Sequence, residues 1–366
     1  MAGIAGGALG LVATGAAVGV AFWQRSRLAS ERSRAADAAD MPAAQLGRQP
    51  AGKACSVIAD DGIRLSADVI EPADGQGPEL TVVLVHGFAL DRRSWHFQRL
   101  ALSDAAAQPV RLVLYDQRSH GQSDRAPRET SDIERLGYDL DAVIRALAPE
   151  GPVALVGHSM GGMAIMALAD DRPELFTQRV AGVALLSTSA GEVASKGLPG
   201  ALLSRRNPVI RAVALLATVQ PNVVDRVWRL GADVIWAMVR AYGYGDRAVD
   251  PTLVELVNDM IGANGVDAMI DFSDTLGTHD RLGALPALAG CEVLIGAGDA
   301  DRMIPFRHSE VIAAELPDAT LLALPGAGHL PMLEQPDAVN AALAELIERS
   351  ARRAKRGWRR LRRWGA

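Results

Sequence analysis

The chain has 366 residues, of which 49% are hydrophobic and 22% charged, a balance typical of a globular protein and unlike a disordered or fibrous one. Its two cysteines, Cys55 and Cys291, stand far apart and predict neither a disulfide framework nor a cysteine zinc site. The net charge is −5 although residues 349–366 contain eight arginines and Lys355 without an acid. The rest of the chain is therefore acidic and would repel phosphates, which argues against nucleic-acid binding.

The first predicted element is an apolar segment at the N-terminus. Residues 2–23 contain no charged side chain over 22 positions, which is enough to cross the hydrocarbon core of a bilayer as a helix. We predict a transmembrane anchor over residues 1–23; a cleaved signal peptide and a soluble Ala/Gly extension are the alternatives. Four arginines follow it, so the positive-inside rule places the remaining chain in the cytoplasm rather than outside the cell. Residues 24–53, rich in Ala, Arg and Asp, are predicted to be a linker.

Two apolar runs further along predict buried strands, each ending in a polar motif. Residues 81–85 precede His86-Gly87-Phe88, and residues 111–115 precede a polar turn over residues 116–124. Nearly continuous apolar runs are typical of parallel strands that are covered on both faces. We interpret three side chains of the polar turn as supports of its loop: Asp116, Arg118 and His120.

The most informative motif is Gly157-His158-Ser159-Met160-Gly161, which follows an apolar run and precedes a helical stretch over residues 163–169. A serine with glycines two positions before and after it, between a strand and a helix, has the pattern of a nucleophile elbow. The tight turn exposes the serine hydroxyl, and amides at the start of the helix face negative charge that develops beside it. The pattern predicts Ser159 as a nucleophile; a serine in an ordinary turn is the alternative.

A long insertion separates this motif from the remaining candidates. A strand predicted at residues 180–186 is followed by the next one only at residues 292–295. A simple connection between strands needs far fewer residues. Residues 190–285 are therefore predicted to form a helical cap over the site.

A serine nucleophile needs a base, and the base needs an acid that orients it. The acid candidates are Asp299 and Asp301, which follow the strand at residues 292–295. We favour Asp301, which can reach across the loop, and interpret Asp299 as a turn former. The base candidate is His329, in a glycine-rich loop after a short strand; a loop histidine with a local hydrogen bond is the alternative.

Together these motifs resemble the α/β-hydrolase family over about residues 54–348, and the chain order Ser, Asp, His is that of the family. The resemblance implies a mostly parallel, eight-stranded twisted sheet with helices on both faces, built from residues 54–189 and 286–348. It also implies an oxyanion hole formed by the backbone amides of Phe88 and Met160. Ser119 stands where the family usually has glycine. This departure bears on the expected geometry of the loop and not on the expected chemistry.

The expected function is that of a serine hydrolase, which cleaves an ester with an apolar acyl or alcohol part through an acyl-enzyme. No metal or organic cofactor is expected. The alternatives are other acyl transfer, C–C hydrolysis, perhydrolysis or peptide hydrolysis on the same side chains, and an inactive membrane-tethered binding protein. The basic segment 349–366, with interspersed tryptophans, is predicted to contact an anionic membrane surface; a solvated tail is the alternative.

Overall fold

The computed structural model describes residues 52–72, 77–104, 109–193 and 232–364, together with residues 30, 32, 33, 46 and 47. Its centre is one eight-stranded sheet with the strand order β1-β2-β4-β3-β5-β6-β7-β8. The strands are β1 Lys53–Ile58, β2 Arg64–Ile70, β3 Leu80–Val85, β4 Val110–Tyr115, β5 Val153–His158, β6 Val180–Leu186, β7 Glu292–Gly298 and β8 Thr320–Leu324.

The sheet is mostly parallel, as predicted. Strand β2 pairs antiparallel with β1 and β4, and the pairs from β4 through β8 are all parallel. The apolar runs singled out in the sequence lie in the parallel part. The β1–β2 hairpin was not predicted, because β1 is an edge strand whose side chains are mostly exposed and it lacks a continuous apolar run.

Helices cover both faces of the sheet. In chain order they are α1 His96–Asp104, α2 Ile133–Leu147, α3 Met160–Asp171, α4 Pro173–Gln178, α5 Ala232–Met238, α6 Pro251–Thr278, α7 Arg307–Glu315, α8 Pro331–Glu334 and α9 Pro336–Trp364. Successive residues of β3 alternate between two buried clusters: Val83 packs with the apolar sides of α2 and α3, and Leu84 packs with those of α6 and α9. Burial on both faces explains why these strands are apolar throughout.

Part of the segment predicted to be a cap is described. A five-residue π-helical turn, Val239–Gly243, follows α5 and leads towards α6. Residues 194–231 lie outside the described ranges, so the proposed limits of the cap at residues 190 and 285 stay predictions. The described part contacts the loops at the carboxyl ends of the strands: Arg302 donates to the carbonyl of Ala241 at 2.7 Å.

The predicted anchor, residues 1–23, and most of the predicted linker lie outside the described residues. Arg32, within that linker, donates to Glu255 of α6 at 2.6 Å and to Asp233 of α5 at 3.1 Å. Within the described ranges, no helix combines the length and the apolar character needed to cross a membrane.

The boundary predicted between the core and a basic tail, at residues 348 and 349, falls within a helix. Helix α9 continues through this point to Trp364. Ser350 and Ala351 are buried, because the apolar stripe of the helix extends one more turn onto the sheet. Beyond them, the ammonium of Lys355 lies 2.7 Å from the carboxylate of Glu79.

Candidate active site

Three side chains from the carboxyl ends of different strands meet at one edge of the sheet. Ser159 follows β5, Asp301 lies beyond β7, and His329 lies beyond β8. The serine Oγ is 3.0 Å from His329 Nε2, and His329 Nδ1 is 2.8 Å from an oxygen of Asp301. In open α/β sheets this edge is where ligands bind. The structure thus brings together the three residues that the sequence singled out.

The turn that carries Ser159 is strained and tightly enclosed. The serine has a φ of +51°, a positive value that residues other than glycine rarely adopt. A Cβ atom on Gly161 would lie 2.1 Å from the carbonyl oxygen of Val85, so only glycine allows helix α3 to start against the end of β3. Thr188 donates to the carbonyl of Ser159 at 2.7 Å and fixes the turn from the other side.

Each carboxylate oxygen of Asp301 has a different partner. Oδ1 accepts hydrogen bonds from the amides of Met303 and Ile304, at 2.8 and 2.9 Å. Oδ2 is left for His329 Nδ1. Asp299 instead accepts from the amide of Gly326 at 2.7 Å and closes a turn between two loops, as interpreted from the sequence.

These contacts determine the tautomer of His329. A carboxylate accepts hydrogen bonds and cannot donate them, so Nδ1 carries the proton. Nε2 is then the acceptor that faces the hydroxyl of Ser159. The imidazole is therefore oriented to remove a proton from the serine.

The histidine loop is held by two side chains that the sequence did not reveal. Nε2–H of His158 donates to the carbonyl of His329 at 2.8 Å, and burial lowers the pKa of His158 well below its ordinary value. A neutral His158 has one ring N–H, and this bond uses it.

Glu334 of α8 accepts from the amide of Gly328, at 2.7 Å, and from the amides of Gly245 and Asp246, both at 3.0 Å. No periodicity marks these positions, because His158 and His329 are 171 positions apart and Glu334 also binds backbone almost ninety positions away.

The predicted oxyanion residues lie at the start of α3 and in the loop after β3. The carbonyl of Gly87 accepts from His86 Nδ1 at 2.8 Å and from the Leu90 amide at 3.2 Å. Since the peptide is planar and trans, the Phe88 amide points away from these donors. In the described part of the chain, neither the Phe88 nor the Met160 amide has a hydrogen-bond partner. Both remain available to an incoming oxygen atom.

Two buried neutral histidines support this loop. His86 Nε2 accepts from the amide of Gln117 at 2.9 Å, and His120 Nε2 accepts from that of Ala89 at 3.2 Å. Burial lowers the pKa of His86 to about 4 and that of His120 to about 3. Both rings are therefore neutral at pH 7, as acceptors must be.

The polar turn after β4 is held by buried ion pairs. Asp116 pairs with Arg92, and Arg118 contacts Asp139 at 2.6 Å and Asp61 at 2.8 Å. These contacts agree with the supporting role inferred for Asp116, Arg118 and His120. Among the described residues, no group of three or more His, Cys, Asp or Glu side chains could hold a metal ion.

Comparison with known proteins is consistent with this architecture. The chain is 28% identical over 316 residues to the dihydrolipoyllysine-residue acetyltransferase component of the acetoin cleaving system of Cupriavidus necator, covering 83% of this chain and 72% of that protein. It is 29% identical to the pimeloyl-[acyl-carrier protein] methyl ester esterase of Chromobacterium violaceum, covering 76% and 97%.

Among solved structures, a thermophilic esterase from Thermogutta terrifontis matches with a TM-score of 0.64 and 26% identity, covering 82% of this chain and 99% of that one. A model of the alpha/beta hydrolase family matches residues 82–342, well over half of the chain. The chain therefore belongs to the alpha/beta hydrolase family.

Proposed function

We propose that this protein hydrolyses a carboxylic ester through an acyl-enzyme on Ser159. The observation that carries the proposal is the unbroken line of hydrogen bonds from Ser159 through His329 to Asp301, with lengths of 3.0 and 2.8 Å. A relative and a similar solved structure support an ester substrate, since one is named a methyl ester esterase and the other an esterase.

In the acylation step, Ser159 Oγ attacks the ester carbonyl carbon while its proton passes to His329 Nε2. The imidazolium that forms is stabilised by Asp301, which is buried and already accepts a hydrogen bond from Nδ1–H. The carbonyl oxygen becomes negatively charged, and the amides of Phe88 and Met160 stabilise it. A single donor of this kind lowers the barrier by about 3–4 kcal/mol.

Collapse of the tetrahedral adduct breaks the bond to the alcohol, which leaves with the proton from His329. Water then takes the place of the alcohol, gives a proton to His329 Nε2 and attacks the acyl carbon. The second tetrahedral adduct releases the acid and returns the proton to Ser159. The same two amides serve both adducts, because the carbonyl oxygen occupies the same position in each.

An apolar acyl or alcohol part fits the surroundings of His329. Leu330, the next residue, is buried among apolar side chains beside the π-helical turn, where its amide donates to the carbonyl of Gly243 at 3.0 Å. Small-molecule sites are mainly apolar with a few polar groups. Acyl transfer to an alcohol or thiol uses the same acyl-enzyme, and the acetyltransferase component among the relatives makes it the second candidate.

Replacement of Ser159 by Ala tests the nucleophile. We expect a fluorophosphonate probe to label the wild-type chain and not the Ser159→Ala variant, and p-nitrophenyl ester hydrolysis to fall at least about 1,000-fold. Ser103→Ala is the control, because its hydroxyl donates to the carbonyl of Leu100 in the same helix. Equal labelling of wild type and Ser159→Ala would contradict the proposal. Esters of increasing chain length, with and without an added alcohol acceptor, define the substrate.

Replacement of each aspartate by asparagine tests the orienting acid. In Asp301→Asn the amide oxygen can keep the bonds from Met303 and Ile304, so the NH₂ group faces Nδ1 and forces the proton onto Nε2. That tautomer cannot accept the serine proton, and we expect kcat to fall on the order of 10⁴-fold. Asp299→Asn is the matched control and should leave kcat within about twofold. A similar loss in both variants would exclude the assignment.

A further inference from the structure

The amide side chain of Asn264 joins the predicted cap to two loops of the core. Its nitrogen donates to the carbonyls of Ala89 and Leu90 at 2.8 and 3.1 Å, and its oxygen accepts from the amide of Gly121 at 2.7 Å. These partners settle the orientation of the amide group, because carbonyls only accept and an amide N–H only donates. Asn264 is buried in the middle of α6, so no water-exposed conformation competes with these bonds.

Helix α6 contacts the same loop a second time, two turns further along. The ring of Phe272 is fully buried and lies 5.5 Å from that of His120. His120 accepts a hydrogen bond from the amide of Ala89. The peptide groups on both sides of Ala89 are therefore held, the carbonyl by Asn264 and the amide through His120. Ala89 has a φ of +60°, a strained conformation that persists only where neighbouring contacts enforce it.

This restraint lies one residue from a group of the proposed reaction. Phe88, whose amide is one of the two predicted oxyanion donors, immediately precedes Ala89. A Cβ atom built on Gly87 would lie 3.3 Å from Ser159 Cβ, so this loop packs directly beside the serine. A rotation of the backbone at Ala89 would turn the Phe88 amide away from the reacting oxygen. Such donors lose most of their effect when they are misaligned, because their contribution depends on being oriented before the reaction.

We infer that Asn264 is a positioning residue through which helix α6 holds the oxyanion loop, residues 86–90 after β3, in its working geometry. The inference rests on the proposed function, since it assigns Asn264 to the stabilisation of charge on the ester oxygen. It makes the oxyanion loop and the cap helix one hydrogen-bonded unit. Binding of the ester before reaction depends little on this unit, whereas the tetrahedral adduct depends on it strongly.

The test replaces Asn264 with Asp in the full-length chain. The new side chain has the same shape but brings a carboxylate oxygen against the carbonyls of Ala89 and Leu90. We expect kcat for p-nitrophenyl butyrate, per site labelled by fluorophosphonate, to fall about 10- to 100-fold with KM within about threefold. Affinity for phenylboronic acid, which forms a tetrahedral adduct with serine, should fall in parallel. Asn264→Ser, which keeps a short donor, should lose less than Asn264→Asp.

The matched control is Thr275→Val on the same helix. Thr275 accepts a hydrogen bond from the amide of Ile133, at 3.1 Å, on the core but away from the oxyanion loop. Normal kcat per labelled site in Asn264→Asp, or an equal loss in Thr275→Val, would overturn the inference. If Asn264→Asp does not fold, the comparison of Asn264→Ser with Thr275→Val decides in the same way. Retained hydrolysis in Ser159→Ala would instead contradict the proposed function itself, so the two failures are distinguishable.

Discussion

The loops that carry Ser159 and His329 are held by different kinds of restraint. The serine turn is fixed mainly by backbone and by close contact: its amide donates to the carbonyl of Leu186 at 2.9 Å, and Gly161 lies directly against Val85. Little space is left for another conformation. This restraint comes from residues next to the serine and from the strands on either side.

The histidine loop depends on side chains of two neighbouring elements, β5 and α8. His158 holds the carbonyl of His329, and Glu334 holds the amide of the preceding residue, Gly328. The same carboxylate also binds the amides of Gly245 and Asp246, in the segment between the π-helical turn and α6. The position of His329 is therefore tied to the position of the predicted cap.

The difference has a consequence for function. A turn fixed by close contact cannot move without disrupting the core, whereas a loop fixed by hydrogen bonds can shift at a cost of about 1.5–3 kcal/mol for each charged bond. We therefore expect substitutions in the serine turn to impair folding and activity together. Substitutions around the histidine loop should mainly impair activity.

The most damaging change to the serine turn is Gly161→Ala. Its Cβ would stand 2.1 Å from the carbonyl oxygen of Val85 and 2.8 Å from that of His86, and neither backbone atom can move freely. We expect the free energy of unfolding to fall by about 3 kcal/mol, with ester hydrolysis lost in the same variant. Urea unfolding followed by tryptophan fluorescence measures the first effect, and p-nitrophenyl ester turnover measures the second.

Gly262→Ala is the matched control, because this helical glycine of α6 has no atom within 4 Å of the added Cβ. It should stabilise the chain by up to about 1 kcal/mol. If both variants had the same stability, close contact would not be what fixes the serine turn.

The histidine loop is tested by Glu334→Gln. One of the two oxygens becomes an NH₂ group that faces backbone N–H groups, so at least one of the bonds to Gly328, Gly245 or Asp246 is lost. We expect kcat to fall about tenfold, while stability falls by about 2 kcal/mol or less. Kinetics with a short ester and urea unfolding give the two values.

Glu315→Gln removes the same charge from an exposed position at the end of α7 and should change neither value. An equal loss of kcat in Glu315→Gln would attribute the effect to charge alone. A larger loss of stability in Glu334→Gln than in Gly161→Ala would reverse the comparison between the two loops.

The distinction between local restraints and hydrogen bonds from other parts of the chain also explains what could be predicted from the sequence. The parallel strands, the serine turn and the order of Ser159, Asp301 and His329 follow from local patterns: apolar runs of strand length, glycines at fixed offsets, and polar residues at strand ends. The choice of Asp301 over Asp299 also depended on local spacing within one loop. The parallel sheet is confirmed, and the three side chains lie within hydrogen-bonding distance of one another, while their catalytic roles stay predictions.

What the sequence did not reveal involves contacts between distant residues. Asn264 and Ala89 are 175 positions apart, and His158 and His329 are 171 apart. Glu334 is near His329 in sequence, yet its other partners are almost ninety positions away. The continuation of α9 past residue 348 was missed because Ala351 and Ser350 are small residues within a strongly basic segment. Single side chains of this kind carry no periodic signal.

The oxyanion loop adds a third kind of restraint, one that depends on pH. His120 accepts from Ala89 only when neutral, and burial lowers its pKa from 6.5 to about 3. Between these values the unfolded chain binds a proton that the folded chain does not, so stability falls as the pH falls through this window. The slope is about 1.4 kcal/mol per pH unit for one histidine. His86 affects stability in the same direction, because burial lowers its pKa from 6.5 to about 4.

Asp116 acts in the opposite direction. Burial raises its pKa from 3.8 to about 6, so the folded chain binds this proton first, and stability is gained as the pH falls between these values. We expect the two histidines together to outweigh it.

Replacement of His120 by Gln keeps a donor and an acceptor but removes one titrating group. Urea unfolding at pH 7, 6 and 5 should then show a loss between pH 7 and 5 that is about 2 kcal/mol smaller than in the wild-type chain. Equal slopes in the two chains would mean that burial does not hold the His120 ring neutral over this pH range.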